Sequence, residues 1–290
     1  MKTYHKMLRR LNSHPKIALD QIRRLQKYRR QCCLRCGCIG HLETHHTDQR
    51  GIKTYLCRDC GKTFTELQGT IFYRSKIPLS IWLIVLLEWV LSTGSISAAE
   101  VARKTGLSHK SSWQMLMKMR HFFGSSPPKE LLNGITEIDE SWHGKKENQD
   151  IVFGLVERIR NQVRFIFISN TKETTIRTAV FSSVKKRSVF MTDGATYYGF
   201  ASVSYEKNSV NHSKHEFARV GGIHTNTIEH IWGDIKGIIR TTHHGISKKY
   251  RQLYFAQYAF RYNYKKCYDL FVLSLFIFLF PSFSPTYSLI

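Results

Sequence analysis

The sequence predicts a mixed α/β (α+β) protein whose second half is a mixed sheet with flanking helices, preceded by two small modules. Three observations predict it. Apolar–polar alternation at 135–139, 151–158, 163–169 and 189–192 reads as strands, with helical periodicity at 174–184, 226–240 and 248–265. Two Cys-x-x-Cys pairs lie upstream, and between them and the strands a serine-capped, glycine-broken pair of helices spans 97–113. At 290 residues there is room for one large domain or two to three small ones, and 42% hydrophobic content suffices for a real core.

Composition narrows the partners. The 44 Lys+Arg against 21 Asp+Glu give a net charge of +23, which points to a polyanion, nucleic acid first and a membrane surface second. Seven cysteines is an odd number, and four of them form close pairs, which in a reducing compartment means metal sooner than disulfides. The start, Met1-Lys-Thr-Tyr-His-Lys, has no apolar run behind its charges, so a secretory signal peptide is not expected and cytoplasm is.

Residues 1–30 hold ten Lys or Arg against one acid, Asp20, and read either as an arm along DNA phosphates or as a solvated basic helix. In 31–68, Cys33 and Cys36 face Cys57 and Cys60 across twenty residues, and each pair is followed by glycine, Gly37 or Gly61. Two residues between cysteines let one tight turn present both sulfurs to one ion, so these four make a structural Zn site. Cys32 and Cys38 are read as spare thiols, and His41, His45 and His46 as loop residues.

In 77–124, Pro78 opens a helix over 79–91 that is apolar on most faces and too short to span a membrane, hence a buried core helix. A helix-turn-helix follows. Ser97 and Glu100 form a capping box, Ala102 sits at the crossing, Gly106 makes the turn and Ser108 caps the second helix. His109, Lys110, Ser111 and Gln114 would then face a major groove, although a plain helical hairpin shares most of these features. Gly124-Ser-Ser-Pro-Pro-Lys129 is a linker by composition, and the sheet domain should begin soon after it, at 132–266.

That domain carries three acids of interest. Asp139 ends the first strand, Asp193 follows the fourth, and Glu229 lies in a helix. Carboxylates so placed suit phosphodiester cleavage and transfer, in which Mg²⁺ ions clamp the attacking and leaving oxygens. Lys236, about two turns after Glu229, shares its helix face and could hold a phosphate. Alternation puts Glu140 opposite Asp139 and lets Glu137 share its face. Trp142, Tyr197 and Tyr198 could stack on bases or sit in the core, and Thr225 or Asn226 is a plausible N-cap.

Thr136-Glu-Ile-Asp-Glu-Ser, Met191-Thr-Asp-Gly, His224-Thr-Asn-Thr-Ile-Glu, Ile231-Trp-Gly-Asp-Ile-Lys and Phe260-Arg-Tyr-Asn together resemble the insertion-sequence DDE transposases, whose catalytic domain is ribonuclease H-like and whose N-terminus carries a zinc ribbon. The 35 residues between Asp193 and Glu229 look like that family's spacing. The resemblance selects Asp139, Asp193 and Glu229 as ligands of Mg (or Mn), with Lys236 beside them. It implies binding of terminal inverted repeats in double-stranded DNA, strand cleavage and strand transfer, a homo-oligomer on DNA, and a cytoplasmic, nucleoid-associated protein. A catalytically inert DNA-binding regulator, a decayed transposase and a structure-specific nuclease are the rival readings. The resemblance leaves Arg261 and Asn263 without a role and ends near Lys266. The apolar tail at 267–290 is short for a span, so no membrane is expected.

Overall fold

The computed structural model describes residues 18–20, 22–23, 32–92, 94–124, 130–210 and 218–264. Most of the basic arm, most of the linker (125–129) and the tail at 267–290 lie outside the described residues. The chain divides into an N-terminal unit ending at Phe122 and a second unit, Phe123–Tyr268.

The N-terminal unit begins with a three-stranded antiparallel sheet of β1 (Leu42–Thr47), β2 (Lys53–Cys57) and β3 (Thr63–Thr65). Asp48 builds the first hairpin by accepting from the backbone N–H groups of Arg50 and Ile52, both at 2.9 Å. Among the described residues, Cys33, Cys57 and Phe64 form a small buried cluster beside this sheet. Arg23 donates to buried Glu66 at 2.8 and 3.0 Å, and Ala18, Leu19 and Ile22 are buried. This part of the basic segment is therefore packed.

Helix α1 (Leu79–Leu91) buries Trp82, Leu83, Val85, Leu86, Leu87 and Trp89, as its all-round apolar pattern requires. In α2 (Ala98–Thr105) the Ser97 hydroxyl accepts from the Glu100 N–H at 3.1 Å. The reciprocal half of the expected capping box is replaced: the Glu100 carboxylate pairs with Lys104 at 2.9 Å, one turn along the same face. Gly106, at φ 72°, ends α2 in the left-handed conformation that glycine adopts without strain. Ser108 Oγ then accepts from Ser111 N–H at 3.1 Å to start α3 (His109–Gly124), whose inner face buries Ser112, Met115, Leu116 and Met119.

The second unit is a five-stranded mixed sheet in the order β6-β5-β4-β7-β8. β4 (Ile135–His143), β5 (Asp150–Glu157) and β6 (Gln162–Ile168) are an antiparallel meander, and β7 (Val189–Thr192) and β8 (Glu206–Ser209) run parallel to β4 and β7. This strand order and direction are those expected of a ribonuclease H-like sheet. α4 (Glu173–Phe181) packs on one face, where Ile138, Phe153, Leu155, Ile176, Val180 and Phe190 meet. α5 (Asn226–Thr241) and α6 (Lys248–Tyr264) supply the other, where Val152, Val156, Val163, Ile228, Trp232 and Phe255 meet.

The main differences from the sequence reading are these. The first strand runs on to His143 because Glu140–His143 continue pairing with Asp150–Phe153. The helix expected over 174–184 ends at Phe181. The fifth strand, Glu-Lys-Asn-Ser, was not expected, because an edge strand exposed to water needs no apolar alternation. Asn263 gains a structural role: its side-chain amide accepts from Val163 N–H at 2.6 Å and donates to Val163 C=O at 3.0 Å, satisfying the other sheet edge.

Candidate active site and metal centres

The thiols come together. Cys33, Cys36, Cys57 and Cys60 all lie within 4.8 Å of one another. The Cys33–Cys60 and Cys36–Cys57 sulfurs are 3.8 and 3.7 Å apart, close to the edge of about 3.8 Å that four 2.3 Å Zn–S bonds would give a tetrahedron. Each knuckle closes on a left-handed glycine, with Gly37 N–H donating to Cys33 C=O and Gly61 N–H to Cys57 C=O. A backbone N–H from Cys60 holds the Cys57 thiol down at about 6 against its burial. The donor set fits Zn²⁺. Cys38 lies beside it, 3.2 Å from the Cys57 sulfur, while Cys32 bridges to Ile39 in the backbone.

The acids are positioned by the sheet. β4 and β7 are parallel neighbours with Glu137 opposite Met191, so two residues further on Asp139 stands level with Asp193, the first residue beyond β7. The chain turns away at Gly194 (φ 85°), and Asp193 accepts from Ala195 N–H at 3.1 Å. Asp139 accepts from the Trp232 indole N–H at 2.9 Å. Burial, then the charges of Glu140 and Asp193, push the Asp139 carboxyl up to about 7.

Glu140 faces the other side of the sheet. It accepts from the hydroxyls of Tyr197, at 2.8 Å, and Tyr198, so this pair anchors the segment after Asp193 and Tyr198 is core. Trp142 is exposed.

Glu137 shares the Asp139 face but is fully buried and committed elsewhere. It pairs with Arg158 at 2.7 Å and accepts from the Thr227 hydroxyl at 2.7 Å and Ile228 N–H at 2.9 Å. Glu137 thus caps α5 from the sheet. Thr225 is the N-cap residue, one of the two the sequence offered, but its side chain makes no capping bond: Oγ1 donates to Glu229 at 2.7 Å, and Asn226 is already inside the helix. Arg158 also donates to the carbonyls of Gly222 and His224 and contacts His224 Nδ1 at 3.0 Å, fastening the hairpin of β9 (Ala218–Arg219) and β10 (Ile223–His224).

Glu229 is half-buried in the first turn of α5, and Lys236 is exposed further along. Burial, then the charges of Lys236 and Arg251, press His143 down to about 4. Asp234 turns away, accepting from Tyr258 at 3.1 Å beside His230. Among the described residues, only the cysteine group gathers three or more such ligand atoms within 4.8 Å; Asp139, Asp193 and Glu229 are not drawn together to that degree. Their all-oxygen donor set nonetheless suits a hard divalent cation.

On α3, His109, Lys110 and Gln114 are exposed, whereas Ser111 is half-buried and bonded to Ser108 at 3.0 Å. The sequence reading missed Arg158 and Gly154, and gave no role to Glu137, which it placed on the Asp139 face, or to Trp232. Gly154 carried a signal, being an isolated glycine inside an apolar strand, which marks a close approach.

Residues 131–263 match the ISXO2-like transposase domain. An uncharacterized protein in the transposable element ISH50 of Halobacterium salinarum is 22% identical over 219 residues, covering 67% of this chain and 73% of that protein. Among solved structures, the HTLV-2 integrase catalytic core domain in complex with magnesium (trimeric form) is 12% identical, with a TM-score of 0.30, over 44% of this chain and 84% of that one. A simian T-cell lymphotropic virus intasome bound to a PP2A regulatory subunit is 10% identical, with a TM-score of 0.31, over 56% and 63%. Residues 131–263 are thus similar to a transposase domain of the ISXO2-like family.

Proposed function

We propose that this chain is the DNA transposase of an insertion sequence, binding the element's terminal inverted repeats and carrying out Mg²⁺- or Mn²⁺-dependent strand cleavage and strand transfer. The observation that carries the reading is the register of β4 and β7, with Asp139 level with Asp193 while Glu137 clamps the start of the Glu229 helix onto β4. Asp139, Asp193 and Glu229 would hold the cation. Bound there, Mg²⁺ or Mn²⁺ supplies Lewis acidity at the phosphoryl oxygens.

The chain's own groups do the remaining work. The Lys236 ammonium, exposed on the same helix as Glu229, holds a DNA phosphate. His109, Lys110 and Gln114 on the first turns of α3 meet base edges, and Ser111 serves mainly to start that helix. The charge of +23 steers the chain to DNA and makes binding steeply salt-dependent. The proposed organisation is a basic arm (1–30), a Zn ribbon (31–68), a DNA-reading region (77–124), the catalytic domain (132–266) and an apolar tail (267–290). Two element ends must be handled together, so a homo-oligomer on DNA is part of the proposal, as is a place in the cytoplasm with the nucleoid. No helix among the described residues is long and apolar enough to cross a membrane.

The test is an in vitro reaction of purified protein with labelled element-end DNA and Mg²⁺, scoring nicks and joined products for wild type and Glu229→Gln. Joined products from wild type alone support the proposal. Nicks without joining indicate a nuclease, and binding without cleavage in either protein indicates an inert regulator or a decayed copy.

A further inference from the structure

We infer that Trp232 is a positioning residue that orients the Asp139 carboxylate toward a divalent cation through its indole N–H. This rests on the proposed reading of Asp139 as a metal ligand. A carboxylate on a strand can rotate about its side-chain bonds, and a ligand free to rotate loses affinity. A hydrogen bond from a fixed donor to one oxygen removes that freedom and leaves the other oxygen to face the cation. Trp232 Nε1 is 2.9 Å from Asp139 Oδ2, across 93 residues of sequence.

The donor is itself held. Trp232 is buried, with its ring 5.4 Å from that of Phe165 and 5.8 Å from that of His143. The indole lies across β5 because Gly154, the residue paired with Asp139, has no side chain: a Cβ there would sit 2.4 Å from Trp232 Cζ2 and 2.9 Å from Ile228 Cδ1. Trp232 follows Glu229 by three positions on α5, so one side chain ties the helix bearing Glu229 to the carboxylate of Asp139. Packing alone would accept phenylalanine; the N–H would not be replaced.

The experiment titrates Mn²⁺ into the zinc-loaded full chain and follows binding by calorimetry for wild type, Trp232→Phe and Asp139→Asn. The expected result is loss of the site in Asp139→Asn and about 10–100-fold weaker Mn²⁺ binding in folded Trp232→Phe. Because Trp232→Phe could fail to fold, the wild-type chain provides a second measurement: one of the five indole N–H resonances should shift on adding Mg²⁺ and lose that response in Asp139→Asn. Wild-type affinity in Trp232→Phe, or indole resonances indifferent to Mg²⁺ while Asp139→Asn still loses the cation, would overturn the role of Trp232 and leave the site standing. Binding unaffected by Asp139→Asn would overturn the site and this inference with it.

Discussion

The ribbon's thiols and the sheet's carboxylates are both candidate metal ligands, yet only the thiols close on one another. Four sulfurs sit at 3.7–3.8 Å across two knuckles, each built within four residues of chain, whereas Asp139, Asp193 and Glu229 come from a strand, the residue just beyond a second strand, and a helix. The difference lies in charge and chain distance. Thiols can pack as small apolar groups, and their spacing is set by local turns. Carboxylates repel one another, and their spacing is set by the whole sheet. A Zn²⁺ ion in the ribbon would therefore act through folding, and a cation on the acids through a site the sheet holds.

The largest expected effect breaks the first half of that comparison. Cys57→Ser, or a strong chelator, should remove the ion and unfold the ribbon, since structural Zn²⁺ contributes about 10–16 kcal/mol of apparent binding free energy in zinc-finger peptides. Calorimetry should then lose one transition while the Phe123–Tyr268 unit keeps its own; an unchanged ribbon melt would mean that its small core suffices.

Next comes the clamp between β4 and the start of α5. Glu137→Gln leaves Arg158 partly buried without its counter-charge and should cost about 3–5 kcal/mol, read as a lower urea midpoint. Amide exchange at Thr227 and Ile228 should rise in parallel, because the cap on α5 weakens.

The smallest effect sharpens the contrast. Asp139 is held near 7 in the folded chain and near its ordinary value when unfolded, so the folded state binds its proton more tightly. Stability should therefore fall as pH rises from about 4 to about 7, by about 1–3 kcal/mol. Asp139→Asn should flatten that part of the profile, and Mn²⁺ should restore stability only to wild type. Superimposable pH profiles for the two proteins would show that Asp139 carries no such strain.

Much of this was legible in the sequence because much of it is local. A two-residue gap between cysteines, a serine three residues before a glutamate, a glycine at a helix end and alternation along a strand all act within a few residues, and those elements stand where their patterns put them. The polar edge strand at Glu206–Ser209 had no such pattern, and although Thr225 was legible as the N-cap of α5, the carboxylate that accepts from that turn was not, because it sits on β4.

The sequence by itself determined most of the elements, the cysteine cluster, the basic character and the set of acids from which a site could be chosen. Tertiary structure decided their employment. Glu137 and Asp139 share a strand face two residues apart, yet one is consumed by Arg158 and the start of α5 while the other receives a single indole N–H. Those partners lie 21 and about 90 residues away, at distances that only the closed sheet and its docked helix could bring within hydrogen-bond reach.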